Sequence, residues 1–66
     1  MNRSELRAAI ARKDVKKKDL AAALGITPFG FSKKLKGETE FKESEIRKLV
    51  VALDLTATDV NRIFLS

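Results

Sequence analysis

The sequence predicts an all-α domain of five short helices, and three observations carry that expectation. Apolar residues recur at helical spacing along the whole chain. No stretch alternates apolar and polar residues for long enough to form a half-buried strand. Gly25, Pro28, Gly30 and Gly37 supply most of the punctuation between the periodic segments. The 66 residues read as one domain spanning 1–66, without linker, repeat or low-complexity segment. A chain this short buries only about 60% of its unfolded surface, so every large apolar side chain has to be used well. It contains neither cysteine nor histidine, which leaves no disulfide and no plausible ligands for structural zinc. Stability has to come from helix packing, with a second subunit as the remaining source.

Each element follows from local chemistry. The first helix starts at Asn2 as N-cap, with Glu5 three residues on as the return half of a capping box. Leu6, Ala9 and Ile10 form its inner face, and Asp14-Val15 break the pattern. The second helix runs from about Lys17 to Leu24 and buries Leu20, Ala21 and Leu24. Gly25 follows directly, where glycine takes the left-handed backbone without strain. Thr27 as N-cap and Pro28 as first helical residue open the third helix, which continues to about Lys36 and stops at Gly37. Glu38 to Phe41 forms a loop with Phe41 as its buried anchor. Ile46, Leu49, Val50 and Leu53 stand at i, i+3, i+4 and i+7 and define the fourth helix. Thr56 and Asp59 make a capping box for the fifth, which carries Val60, Ile63 and Phe64 on one face.

The net charge is +5, unevenly distributed. Residues 1–37 hold ten Lys or Arg against three acids, whereas residues 38–66 hold four against six. A basic half joined to a mildly acidic one points to a polyanion as partner. The polar N-terminus leads into no signal-peptide core, and the longest apolar run, Leu49 to Leu53, is far too short to span a membrane. A soluble, non-targeted, cytoplasmic protein is the expectation. Nothing supports catalysis: there is no glycine-rich phosphate loop, no acid pair in an apolar setting, and no base other than lysine for any serine. No cofactor or metal is expected.

Lys17 to Leu35 carries a more specific pattern. Two helices crossing steeply through a short turn need a small residue where they touch, a residue tolerating positive φ in the turn, and apolar residues to pin the crossing. Ala21, Gly25, and the set Leu20, Leu24, Ile26, Phe31 and Leu35 meet these demands. With these residues, Ile26-Thr27, Phe31-Ser32, Gly37, Phe41, Ser44 to Leu49 and Leu53 to Thr56, the chain resembles the phage Cro/repressor (XRE-type) helix-turn-helix regulators over nearly its whole length. The resemblance implies a compact five-helix, lambda-repressor-like bundle. It further implies a transcriptional regulator, in a bacterial or phage-infected cell, that binds a near-palindromic double-stranded DNA operator as a homodimer. The third helix would enter the major groove while the second lies across the backbone. Where the family usually has a phosphate-touching glutamine, this chain has Lys17; where it presents polar side chains early in the third helix, this chain has Pro28, Phe29 and Gly30.

With Phe31 and Leu35 turned inward, a 100° rotation per residue clusters Phe29, Lys33 and Lys36 on the opposite face with Ser32 at its margin. Phe29, Ser32 and Lys33 are the expected base contacts; the ring either meets thymine methyls or a base step, or folds back over Ile26 or Leu20. Gly30 either admits a close backbone approach or relieves crowding beside Phe29. Lys17, Lys18, Lys36 and Lys42 are the expected phosphate contacts. The Lys16-Lys17-Lys18 run opposes the macrodipole of the second helix, which an external anion would compensate, whereas Glu38, Glu40 and Glu43 surround Lys42. Val60, Ile63, Phe64 and Leu65 are more apolar surface than a short terminal helix buries on one side, and form the expected dimer interface. The rival reading is a protein-interaction module that uses the Phe29 face to bind a partner protein.

Overall fold

In the computed structural model, which describes residues 1–65, the chain is all-helical. The order is α1 (Arg3–Lys13), α2 (Lys17–Leu24), α3 (Pro28–Lys36), α4 (Glu43–Ala52) and α5 (Ala57–Phe64), with no strand among the described residues. The caps expected at Thr27 and Thr56 form, and at Asn2 the side-chain half forms while its N–H goes to the Ile63 carbonyl rather than to Glu5. Asn2 Oδ1 accepts the Glu5 N–H at 3.1 Å, Thr27 Oγ1 accepts that of Gly30 at 3.0 Å, and Thr56 and Asp59 bond reciprocally, both at 3.1 Å. Each closes donors that the first helical turn leaves open.

Four helices end alike. After α1, α2, α3 and α4 the chain turns left-handed at Asp14, Gly25, Gly37 and Asp54, with φ of 55°, 74°, 87° and 50°. In each case the next residue's N–H reaches back five positions to a carbonyl: Val15 to Ile10, Ile26 to Ala21, Glu38 to Lys33 and Leu55 to Val50. This double closure satisfies the last carbonyls of each helix.

One apolar cluster draws on all five helices and the α3–α4 loop. Phe31 is fully buried and meets Phe41 edge-on, centroids 5.9 Å apart at 66°, an arrangement favoured by the ring quadrupoles. Around them lie Leu6, Leu20, Leu49, Leu53 and Ile63, all fully buried. Helix α2 packs on α3 and α4, and α1 packs on α3 and α5. Asn2 N–H donates to the Ile63 carbonyl at 2.6 Å, and Arg12 pairs with Asp59 at 3.2 Å, so both ends of the chain are tied together. No helix among the described residues is long and apolar enough to cross a membrane.

One expectation needs correction. Ile63 is only 1% exposed because α1 covers it; it belongs to the chain's own core and is not available to a dimer interface. Leu65 is 73% exposed, while Val60 and Phe64 are half-buried. In α4, the apolar stripe buries Leu49 and Leu53 but leaves Ile46 and Val50 half-buried, and the acid Glu45 takes a buried place beside them.

Ala21, fully buried in the helix packed between α3 and α4, leaves no room for a larger side chain. Ala21→Leu is expected to lower the unfolding free energy by about 1–3 kcal/mol through overpacking, read by urea titration. Unchanged stability would mean that the α2–α3 contact lies elsewhere.

Candidate nucleic-acid interface

Helix α3 has two unlike sides. Phe31 and Leu35, one turn apart, are buried. On the other side Phe29 is 74% exposed, so its ring stands in solvent and does not fold back over Ile26 or Leu20. The Lys33 Nζ lies over that ring, 5.4 Å from its centroid, within cation–π range. Lys36 is exposed three residues further on, and Ser32 is half-buried at the margin. The structure thus brings Phe29 and Lys33 together, with Lys36 on the same side by helical spacing. At Gly30, a Cβ would lie 3.2 Å from Thr27 Oγ1, the oxygen that caps the Gly30 N–H. A glycine there leaves the cap undisturbed.

The remaining lysines are placed elsewhere. Lys16 is the N-cap of α2 and supplies no side-chain cap; Lys17 and Lys18 follow, all exposed. Lys17 borders a groove of about 280 Å³ between the end of α1 and the start of α2, which Arg7 and Val15 also line. Lys42 is the N-cap of α4, with its backbone N–H given to Glu45 at 2.8 Å and its side chain exposed. Among the described residues Lys16, Lys17, Lys18, Lys33, Lys36 and Lys42 form no ion pair. Their charge is free to meet an external anion.

Lys34 is the contrast. Its ammonium donates to Glu45 Oε1 at 2.7 Å and to the Glu40 carbonyl at 3.1 Å, and sits 5.9 Å from the Phe41 ring centroid. Arg3 Nε reaches the Lys34 carbonyl at 3.4 Å and Arg7 Nη2 the Leu35 carbonyl at 2.9 Å. Three cations therefore hold the carboxyl end of α3, where the helix dipole favours positive charge. The sequence reading singled out none of these residues. The Arg3/Arg7 spacing of four, and a Glu at the third position of α4, were the available signals, but their partners lie far away in the chain.

Burial of the Glu45 carboxyl pushes its pKa upward, but the hydrogen bonds from Lys34 and the Lys42 N–H and the charges of both lysines outweigh it. The net shift is downward. The Thr56 N–H, opposed by partial desolvation and aided by the Thr56 hydroxyl and Arg12, lowers Asp59 as well.

No family model, no curated protein and no solved structure matches the chain.

A lowered folded-state pKa means that Glu45 adds stability above its ordinary value of 4.5 and loses it as pH falls through the depressed one. With side-chain exposures of 13% for Lys34 and 7% for Glu45, Glu45→Gln leaves an ammonium without its anion. A loss of about 1.5–3 kcal/mol at pH 7 is expected. The gap from wild type should narrow as pH falls below 4.5. A gap independent of pH in denaturant titrations would assign the effect to shape alone.

Proposed function

We propose that this chain is a helix-turn-helix DNA-binding protein that controls transcription by occupying a near-palindromic operator as a homodimer. In this reading α2 and α3, joined by Gly25 to Thr27, are the two helices of the motif, in a lambda-repressor-like bundle. Helix α3 enters the major groove, with Phe29, Ser32 and Lys33 at base edges. Lys17, Lys18, Lys36 and Lys42 meet phosphates, which fix the register without reading sequence. The observation that carries the reading is the exposed Phe29 ring with the Lys33 ammonium over it. An aromatic left wet on a cationic helix, itself held by its far end, has an apolar and anionic partner to gain. Duplex DNA offers both, as thymine methyls and phosphates.

Size agrees with weak pairing off DNA. The Cα frame measures 28 × 22 × 20 Å, whereas half-sites one turn apart are centred about 34 Å from each other. Two copies so placed meet over a narrow front, for which Leu65, with Phe64 and Val60, is the apolar surface at hand.

Selection of bound duplexes from a random pool should enrich a palindrome. With Lys17, Lys18, Lys36 and Lys42 of both copies on phosphates, log affinity should fall against log salt with a slope of about −7. A slope near zero, or no DNA binding at low salt, would favour the partner-protein reading of the Phe29 face. Phe29→Ala should leave thermal unfolding nearly unchanged and cost about 1–3 kcal/mol of operator binding. Binding to scrambled DNA should barely move, since phosphate contacts dominate it. Equal operator affinity in both proteins would shift base reading to Ser32 and Lys33.

A further inference from the structure

The chemistry available on α3 is narrow. Pro28 to Lys36 contains no Asp, Glu, Asn or Gln. The helix therefore lacks a carboxylate to accept from the cytosine N4 amino group, and it lacks the amide that pairs with adenine N6 and N7. What it offers is a phenyl ring, ammonium groups and one hydroxyl. An ammonium donates to the O6 and N7 acceptors that guanine places side by side in the major groove, and a phenyl ring packs on the C5-methyl of thymine.

These two contacts are not independent. Phe29 and Lys33 are one helical turn apart, and Nζ lies 5.4 Å from the ring centroid, so whatever the ring touches has the ammonium as neighbour. Phe29 also sits in the first turn of α3, the part of a recognition helix that approaches base edges. Beside it, Gly30 contributes no side chain to screen the ring.

Resting on the DNA-binding reading above, we infer that each half-site presents a thymine adjacent to a guanine, read together by Phe29 and Lys33, with the thymine methyl itself a determinant of affinity. The ligand chemistry is a 5-methylpyrimidine beside the paired acceptors of guanine. Cytosine lacks the methyl, and 5-methylcytosine regains it.

The test uses the full chain and the duplex enriched from a random pool. Replacing one half-site thymine at a time by uracil removes a methyl group and nothing else. At the contacted position wild type is expected to lose about four-fold in affinity, from the burial of one carbon. Cytosine placed there should gain by a similar factor when methylated at C5. Phe29→Ala should bind the thymine and uracil duplexes equally, and because Phe29 is exposed its thermal unfolding should match wild type. Lys33→Gln should shift preference at the neighbouring base pair from guanine to adenine, since an amide pairs with adenine N6 and N7. If wild type binds thymine and uracil duplexes alike at every half-site position, the inference fails while DNA binding stands. If the pool enriches no duplex at low salt, both fail.

Discussion

Helix α3 is nine residues long and buries only Phe31 and Leu35, so its position depends on how its carboxyl end is held. Arg3 and Arg7 bond to the Lys34 and Leu35 carbonyls, the turn at Gly37 closes the Lys33 and Lys34 carbonyls, and Lys34 is clamped between Glu45 and the Phe41 ring. Hydrogen bonds that involve a charged group are worth roughly twice neutral ones, and here they converge on one helical turn. The amino end, by contrast, carries the Thr27 cap and the short turn from α2, with no charged group bonded to it among the described residues. Anchoring at one end allows the other to stay bare and still be placed, which is what an outward-facing ring and ammonium require.

The same economy governs charge. Among the described residues Lys34 pairs with Glu45, Arg12 with Asp59, and Arg47 with Glu43 at 2.6 Å, while Arg3 and Arg7 bond to backbone carbonyls. The Arg47–Glu43 pair is exposed and of little energetic weight. Lys16, Lys17 and Lys18 stand unpaired at a helix end whose dipole repels them, and α2 lacks a side-chain cap there. The isolated chain tolerates that repulsion at a cost of a few tenths of a kcal/mol to about 1 kcal/mol. An anion seated at this end would reverse the sign of the term, which couples ligand binding to the stability of α2.

Local signals in the sequence were legible; distant partners were not. Gly25, Thr27-Pro28 and Gly37 bracket α2 and α3 because each acts on its own backbone, and the bounds agree with the structure. The exposure of Phe29 follows from rotation about a single helix axis once Phe31 and Leu35 are turned inward. Phe41 was legible as a buried ring because a lone aromatic in a polar loop has few other uses. Ile63 was misassigned because its cover comes from α1, some fifty residues earlier in the chain. Glu45 escaped notice because an acid reads as solvent-facing until Lys34, eleven residues before it, is seen to neutralise it. Arg3 and Arg7 count as surface charge in any sequence pattern, since what they bind is backbone.

The four left-handed helix ends differ in how much variation they admit. Asp14 and Asp54 show that this chain seats aspartate in that backbone, which Asp and Asn tolerate better than other side chains. At Gly25 an added Cβ meets nothing within 4 Å, so an Asp or Asn has space there and bears only the backbone cost. Gly37 differs, for an added Cβ would lie 3.1 Å from the Arg3 guanidinium carbon. A side chain at 37 takes the left-handed backbone cost and also presses on the group that bonds the Lys34 carbonyl, which has to shift by a few tenths of an ångström. Drift at this position would act on one of the two arginine links between the first helix and the third, so a change in a turn is felt by a segment distant in sequence.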